Sequence, residues 1–218
     1  YNLWLRDIAS SEERALTVDG EEHNAYGIGS GTWGFAWPGF SPACWSPDSS
    51  RLLTVRRDKR QVLTTPLVDN IPADGSFRPK LKQIKVAYPG DEHVELFQLL
   101  SIDVVSGDCC EMNYPPMNTG YSHQWGVFNS ELAWWAKDNQ YAYCVELDRG
   151  DHTLRLLEAN MNTGDVRILF EESSETHINL LPEFSAKPLH RPLPNTNELI
   201  WWSQRSGWGH LYLYDLST

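Results

Sequence analysis

An apolar strand, a polar turn and a second strand of alternating large residues recur along this chain. The closing stretch WWSQRSGWGHLYLYDLST (Trp201 to Thr218) has this form, with its turn on Ser203 to Gly207. LWLRDIASSE at Leu3 to Glu12, LLSIDVVSGD at Leu99 to Asp108 and LRLLEANMNTGD at Leu154 to Asp165 share it. Aligned on Asp7, Asp103, Ala159 and Asp215, the four are separated by steps of 96, 56 and 56 residues. Strand-built repeats of roughly 40–50 residues point to propeller blades. Strand periodicity alone would also fit a β-sandwich, but a sandwich has no reason to repeat at this length. No segment sustains a helical period of 3.6. The expected fold is therefore all-β, a partial β-propeller of about three to four blades of four-stranded antiparallel sheet.

The blades can be placed along the chain. Residues 1–19 close one blade as a hairpin of NLWLRDI and ERALTV. Residues 19–42 hold six Gly and two Pro and read as a loop, long enough for such loops to be functional. Residues 43–118 form the next blade, opened by a Pro47-Asp48-Ser49-Ser50 turn. An insertion at 59–92 carries Pro66, Pro72, Pro79 and Pro89 and accounts for the first, longer step. Residues 125–172 supply four strands in order, and 194–218 open a further blade. The chain begins on Tyr1 and reads as a piece of something longer. An open arc leaves an edge strand at each end, which predicts pairing into homo-oligomers.

Charge and motifs exclude several functions. A net charge of −11 argues against a nucleic-acid partner, which needs a basic face. No run of about 18 apolar residues occurs, so no membrane-spanning helix is expected. Cys44, Cys109, Cys110 and Cys144 form no Cys-x-x-Cys pair, and His-Glu-x-x-His is absent, so no metal site is predicted. Gly29-Ser30-Gly31-Thr32-Trp33-Gly34 matches a dinucleotide pattern, but Pro38 and Gly39 would break the helix that must follow, so no cofactor is predicted. No Gly-x-Ser-x-Gly elbow occurs, and without a nucleophile the seven His carry no catalytic meaning. The compartment stays open between periplasm, secretion and cytoplasm.

The segments NLWLRDIASSEERALTVDG, CWSPDSSRLLTVRRD, RILFEESSETHINL and LIWWSQRSGWGHLYLYD, in this order, resemble the N-terminal propeller region of the dipeptidyl-peptidase IV family of serine peptidases. The resemblance implies a propeller stacked on an α/β-hydrolase domain C-terminal to Thr218. The propeller would admit short peptides to a nucleophile in that domain, which makes the peptide substrate and the hydrolase domain the expected partners. Family members commonly remove dipeptides after a penultimate Pro or Ala. They hold the substrate's amino group with a pair of glutamates, because two carboxylates match one ammonium. The interval where that motif belongs, Gly27 to Phe40, contains no acid here.

Three residues are candidates for substrate contact. Trp33 and Trp37, with Phe35 and Phe40, either pack between blades or line the peptide path in place of the missing glutamates. Arg57 belongs to a basic run with Arg51, Arg56, Lys59 and Arg60. That run is either a solvated strand end or a gate for acidic peptide ends. The expected function is non-catalytic: gating and orienting peptides for a separate hydrolase domain. The alternative is a peptide- or protein-binding propeller with no peptidase activity.

Overall fold

Turn chemistry sets the repeat. In the computed structural model, which describes residues 1–27, 43–118, 127–128, 131–179 and 189–217, one side chain caps each recurring hairpin. Asp7 Oδ1 accepts from the backbone N–H of Ala9 and Ser10, at 2.9 and 2.7 Å. Asp103 does the same with Val105 and Ser106, at 2.8 and 2.9 Å, and Asn160 with Asn162 and Thr163, at 2.9 and 3.3 Å. Such local bonds are why Asp and Asn favour turns. The equivalent of Asp103 is therefore Asn160 rather than Ala159, and the later steps become 57 and 55 residues. The correction matters because a slip of one residue exchanges the two faces of a strand. Ala159 is 1% exposed and belongs to the core.

The described residues hold sixteen strands. The first two, β1 (Trp4–Arg6) and β2 (Glu13–Ala15), form a hairpin. Next come β3 (Asn24–Tyr26), β4 (Ala43–Trp45), β5 (Arg51–Asp58), β8 (Leu96–Asp103) and β9 (Cys109–Glu111), which share one sheet. Between β5 and β8 the insertion folds into its own ribbon, β6 (Thr64–Asp69) with β7 (Lys80–Lys85). A third sheet runs in chain order through β10 (Ala133–Trp135), β11 (Tyr141–Leu147), β12 (Thr153–Asn160) and β13 (Val166–Ser173). A fourth holds β14 (His190–Leu193), β15 (Glu198–Ser203) and β16 (His210–Asp215). Every strand pair among the described residues is antiparallel. No helix among the described residues is long and apolar enough to cross a membrane.

The sheets stack face to face. On the sheet containing β5 and β8, Leu53, Val55, Phe97 and Leu99 join a core shared with β10, β11 and β12. Leu52, Leu100 and Ile102 point the other way and meet Leu3, Leu5 and Leu16 of the first hairpin. Alternate residues thus bury opposite faces of the same strands, as the period of two requires. Each fully buried Leu contributes about 1.5–3 kcal/mol. Antiparallel sheets of five, four and three strands, packed in order against one another, make an all-β partial propeller.

The contacts between sheets are specific. Trp135 Nε1 donates to the Cys44 carbonyl at 3.0 Å, and Ser101 Oγ to the Met161 carbonyl at 2.8 Å. The Arg51 guanidinium also reaches Met161 O. Gly164, with φ +81°, donates nothing to this seam but leaves room for it, since a Cβ there would strike the Glu111 carbonyl. Its own carbonyl accepts from Asn113 N at 2.7 Å.

Candidate functional site

The Gly-rich stretch is anchored at two neighbouring points. Both β3 and β4 pair with the same edge of β5, β4 along Leu52–Thr54 and β3 along Arg56–Asp58. Gly27 N donates to the Val55 carbonyl at 2.9 Å, while Ala43 sits opposite Thr54. The chain therefore leaves the sheet at Gly27 and rejoins it at Ala43, on adjacent positions of one strand edge. The strand at Asn24–Tyr26 lies within the stretch whose composition reads as loop. Trp33 and Trp37, with Phe35 and Phe40, lie outside the described residues.

Arg57 belongs to a buried ionic cluster of three side chains. Its Nη1 lies 3.6 Å from Glu95 Oε1, and Lys59 Nζ lies 3.3 Å from Glu95 Oε2. The three side chains are only 12–13% exposed. Glu95 Oε1 is buried with no hydrogen bond. Arg56 faces the opposite side of the sheet. It lies 3.1 Å from Asp19, donates to Asn24 Oδ1 at 3.0 Å and covers the Tyr26 ring at 5.0 Å. Burial, and then the hydrogen bond to Asp19, push the Tyr26 hydroxyl up to about 12. Arg60 pairs with Asp58, and Arg51 reaches into the next sheet. The structure thus distributes the basic run over two faces and a seam, and brings Arg57 and Lys59 together at Glu95.

A second polar assembly lies where the third and fourth sheets meet, and no sequence motif marked it. The His190 ring sits between Trp134 and Trp201, at centroid distances of 5.1 and 5.3 Å. Its Nε2 faces the Glu131 carbonyl at 3.0 Å, and its Nδ1 is buried without a hydrogen bond. Burial lowers its pKa to about 4, so the imidazole is neutral at ordinary pH. Phe170 stacks on Tyr214 at 4.2 Å and meets Trp201 edge-on at 5.1 Å. Glu172 accepts from Ser203 Oγ at 2.5 Å and from Trp201 Nε1 at 3.4 Å. The sequence signal was the Ser203–Gly207 turn, legible only as punctuation between two strands.

No group of three His, Cys, Asp or Glu among the described residues could hold a metal ion. The four cysteines are free thiols. Burial pushes the Cys144 thiol up to about 12 and that of Cys109 to about 11, which makes them poor nucleophiles.

Stacked antiparallel sheets with bonded seams define this chain as a section of a β-propeller. It belongs to the dipeptidyl peptidase IV (DPP IV) N-terminal region family, whose model matches residues 1–218. Two solved structures show the same fold. One, assigned as a dipeptidyl aminopeptidase IV from Bacteroides ovatus ATCC 8483, is 20% identical, with a TM-score of 0.61 over 99% of this chain and 29% of that one. The other, Porphyromonas gingivalis dipeptidyl peptidase 4, is 14% identical, with a TM-score of 0.70 over 98% of this chain and 28% of that one. The chain therefore spans under a third of the length of either structure.

Proposed function

We propose that this chain is the part of a peptidase propeller that admits and orients short peptides for an α/β-hydrolase domain outside it. The observation that carries this reading is the family match over all 218 residues, joined to the absence of a nucleophile elbow within them. Nucleophile, base and oxyanion donors would come from the hydrolase domain. In this reading Trp33 and Trp37 line the peptide path as an apolar subsite, replacing the paired glutamates that Gly27 to Phe40 lacks. Arg57 serves as a cation near the anchored base of that segment. The anchoring of Gly27 and Ala43 side by side on β5 supports a role for the segment as one unit.

The test uses the full-length protein. A fluorophosphonate probe is expected to label it, and Xaa-Pro or Xaa-Ala peptides to be cleaved. Trp33→Ala with Trp37→Ala is expected to raise KM with little change in kcat, the signature of lost uniform binding. Unchanged KM would remove the aromatic subsite. Absence of labelling and cleavage would remove the peptidase reading altogether. It would favour a binding propeller without peptidase activity, the reading to which the acid-free Gly27–Phe40 interval also lends support.

A further inference from the structure

A cleft of about 620 Å³ opens in the seam between the third and fourth sheets, at the end where the Asp138 and Asn160 turns lie. Clefts of roughly 300–1,000 Å³ are the usual size for small-molecule sites. Its third-sheet wall follows from register. Tyr141 stands opposite Asn160, Tyr143 opposite Glu158, and Glu158 opposite Arg167. These side chains therefore share one face of the sheet. It is the face that Trp134, opposite Tyr143, turns to His190 of the fourth sheet. Two contacts cross to the other wall. Tyr143 Oη donates to Asn197 Oδ1 at 3.4 Å, and Arg167 Nη2 to the Leu216 carbonyl at 3.2 Å.

The fold uses only part of the polar capacity of this cleft. Asp138 Oδ1 accepts from the backbone N–H of Gln140 and Tyr141, at 2.9 and 3.1 Å, and Asp165 Oδ2 accepts from Thr163 Oγ1 at 2.7 Å. Asn160 Oδ1 caps its own turn. One atom of each side chain serves the fold, and its other polar atom has no partner among the described residues. Arg167 gives Nε and Nη2 to Glu158 and Leu216 and keeps Nη1. The Tyr141 hydroxyl is unengaged among the described residues, and Lys137 Nζ makes one long contact, 3.4 Å, to Asn195 Oδ1. Two cations and three carboxylates line the cleft, within one unit of neutral, so its field strongly favours neither a simple anion nor a simple cation. What it offers is unengaged donors and acceptors together, beside the apolar ring of Tyr141. A hydroxyl group both donates and accepts, so a ring that carries several of them matches such a wall.

We propose that this cleft binds a neutral polyhydroxylated ring, a monosaccharide unit. Lys137, Asn160 and Arg167 donate to its hydroxyl oxygens, Asp138 and Asp165 accept from its hydroxyl groups, and Tyr141 covers its C–H face. The site is independent of the peptidase reading and uses none of the residues that reading invokes.

The experiment is a titration of the full-length protein, read by saturation-transfer NMR and calorimetry. The probes are the methyl α-glycosides of D-glucose, D-galactose and D-mannose. Cyclohexanol is the control for a ring with one hydroxyl, and inorganic phosphate and methylammonium test for a simple ion site. At least one glycoside is expected to saturate, with a Kd of about 1–10 mM, and cyclohexanol is not. Tyr141→Ala should weaken binding at least about fivefold, the factor that corresponds to one net hydrogen bond. If that variant fails to fold, Lys137→Ala replaces it, because Lys137 is exposed and the same loss is expected. Glu171→Gln, which alters a carboxylate paired with Arg155 on the other face of the sheet, should leave binding unchanged. No saturable binding of any glycoside up to about 50 mM overturns the site. Equal binding of cyclohexanol, displacement of the glycoside by either ion, or full affinity in the substituted protein overturns it too. Loss of peptidase labelling leaves these outcomes untouched, so the two readings fail separately.

Discussion

The two seams join the same kind of sheet by different chemistry. Between the second and third sheets, side-chain donors aim at main-chain carbonyls: Trp135 at Cys44, and Ser101 and Arg51 at Met161. The contact there that involves a carboxylate, Tyr114 to Glu146 at 2.6 Å, is backed by Arg155. Between the third and fourth sheets the work is done by aromatic rings, a neutral buried histidine and a glutamate held by Ser203 and Trp201. A main-chain carbonyl does not titrate, whereas a histidine does. The first seam should therefore ignore mild acid, and the second should feel it.

The largest break in this comparison comes from Trp201→Ala. Trp201 is 2% exposed and touches His190, Phe170 and Glu172 at once. Removing a buried Trp costs about 3–5 kcal/mol. Denaturant unfolding should show that loss, with the fourth sheet detaching from the third. A loss under about 1 kcal/mol would mean that the rings are incidental to the seam.

Mild acid gives the next largest effect. His190 is held neutral in the fold, with a pKa of about 4 against an ordinary 6.5. The unfolded chain binds the extra proton first, so the seam's contribution is whole above 6.5 and is lost as pH falls towards 4. Between about pH 7 and pH 5 the loss is about 2 kcal/mol. This window lies above the range in which the turn aspartates Asp7, Asp103 and Asp215 titrate, since their hydrogen bonds from turn N–H groups lower them below 3.8. His190→Gln, which keeps a donor for the Glu131 carbonyl, should flatten the dependence. An equal slope in the substituted protein would assign the acid sensitivity to another group.

The repeat was legible because its turns are built from local chemistry. Asp7, Asp103 and Asp215 announce themselves by residue type and by the Ser or Gly that follows. The third turn uses Asn160 in the same role, and reading past it displaced the alignment onto Ala159 by one residue. The seams were not legible, because their partners are far apart in sequence. Ser203 meets Glu172 across 31 residues, and Ser101 meets Met161 across 60. No local pattern predicts that one glutamate will find an arginine and another a serine and a tryptophan. The basic run on β5 misleads for the related reason that strand alternation sends Arg56 and Arg57 to opposite faces. Gly27 to Phe40 yields its composition and its anchors, but a side chain's role there depends on what stands opposite it.

The smallest effect sharpens the comparison from the other side. Ser101 is 1% exposed and its hydroxyl donates to Met161 O. Ser101→Ala removes that donor with almost no change in volume. The carbonyl has two lone pairs, and Arg51 still donates to it, so no buried acceptor is orphaned. The cost should therefore be that of one net hydrogen bond, about 1 kcal/mol, rather than the larger penalty of an unsatisfied group. It should also be the same at about pH 7 and about pH 5, because nothing at this contact titrates in that window. Urea unfolding at the two pH values measures both points. A loss that grew towards acid would show that the first seam is coupled to the second, and the two could no longer be treated as separate joints of one propeller.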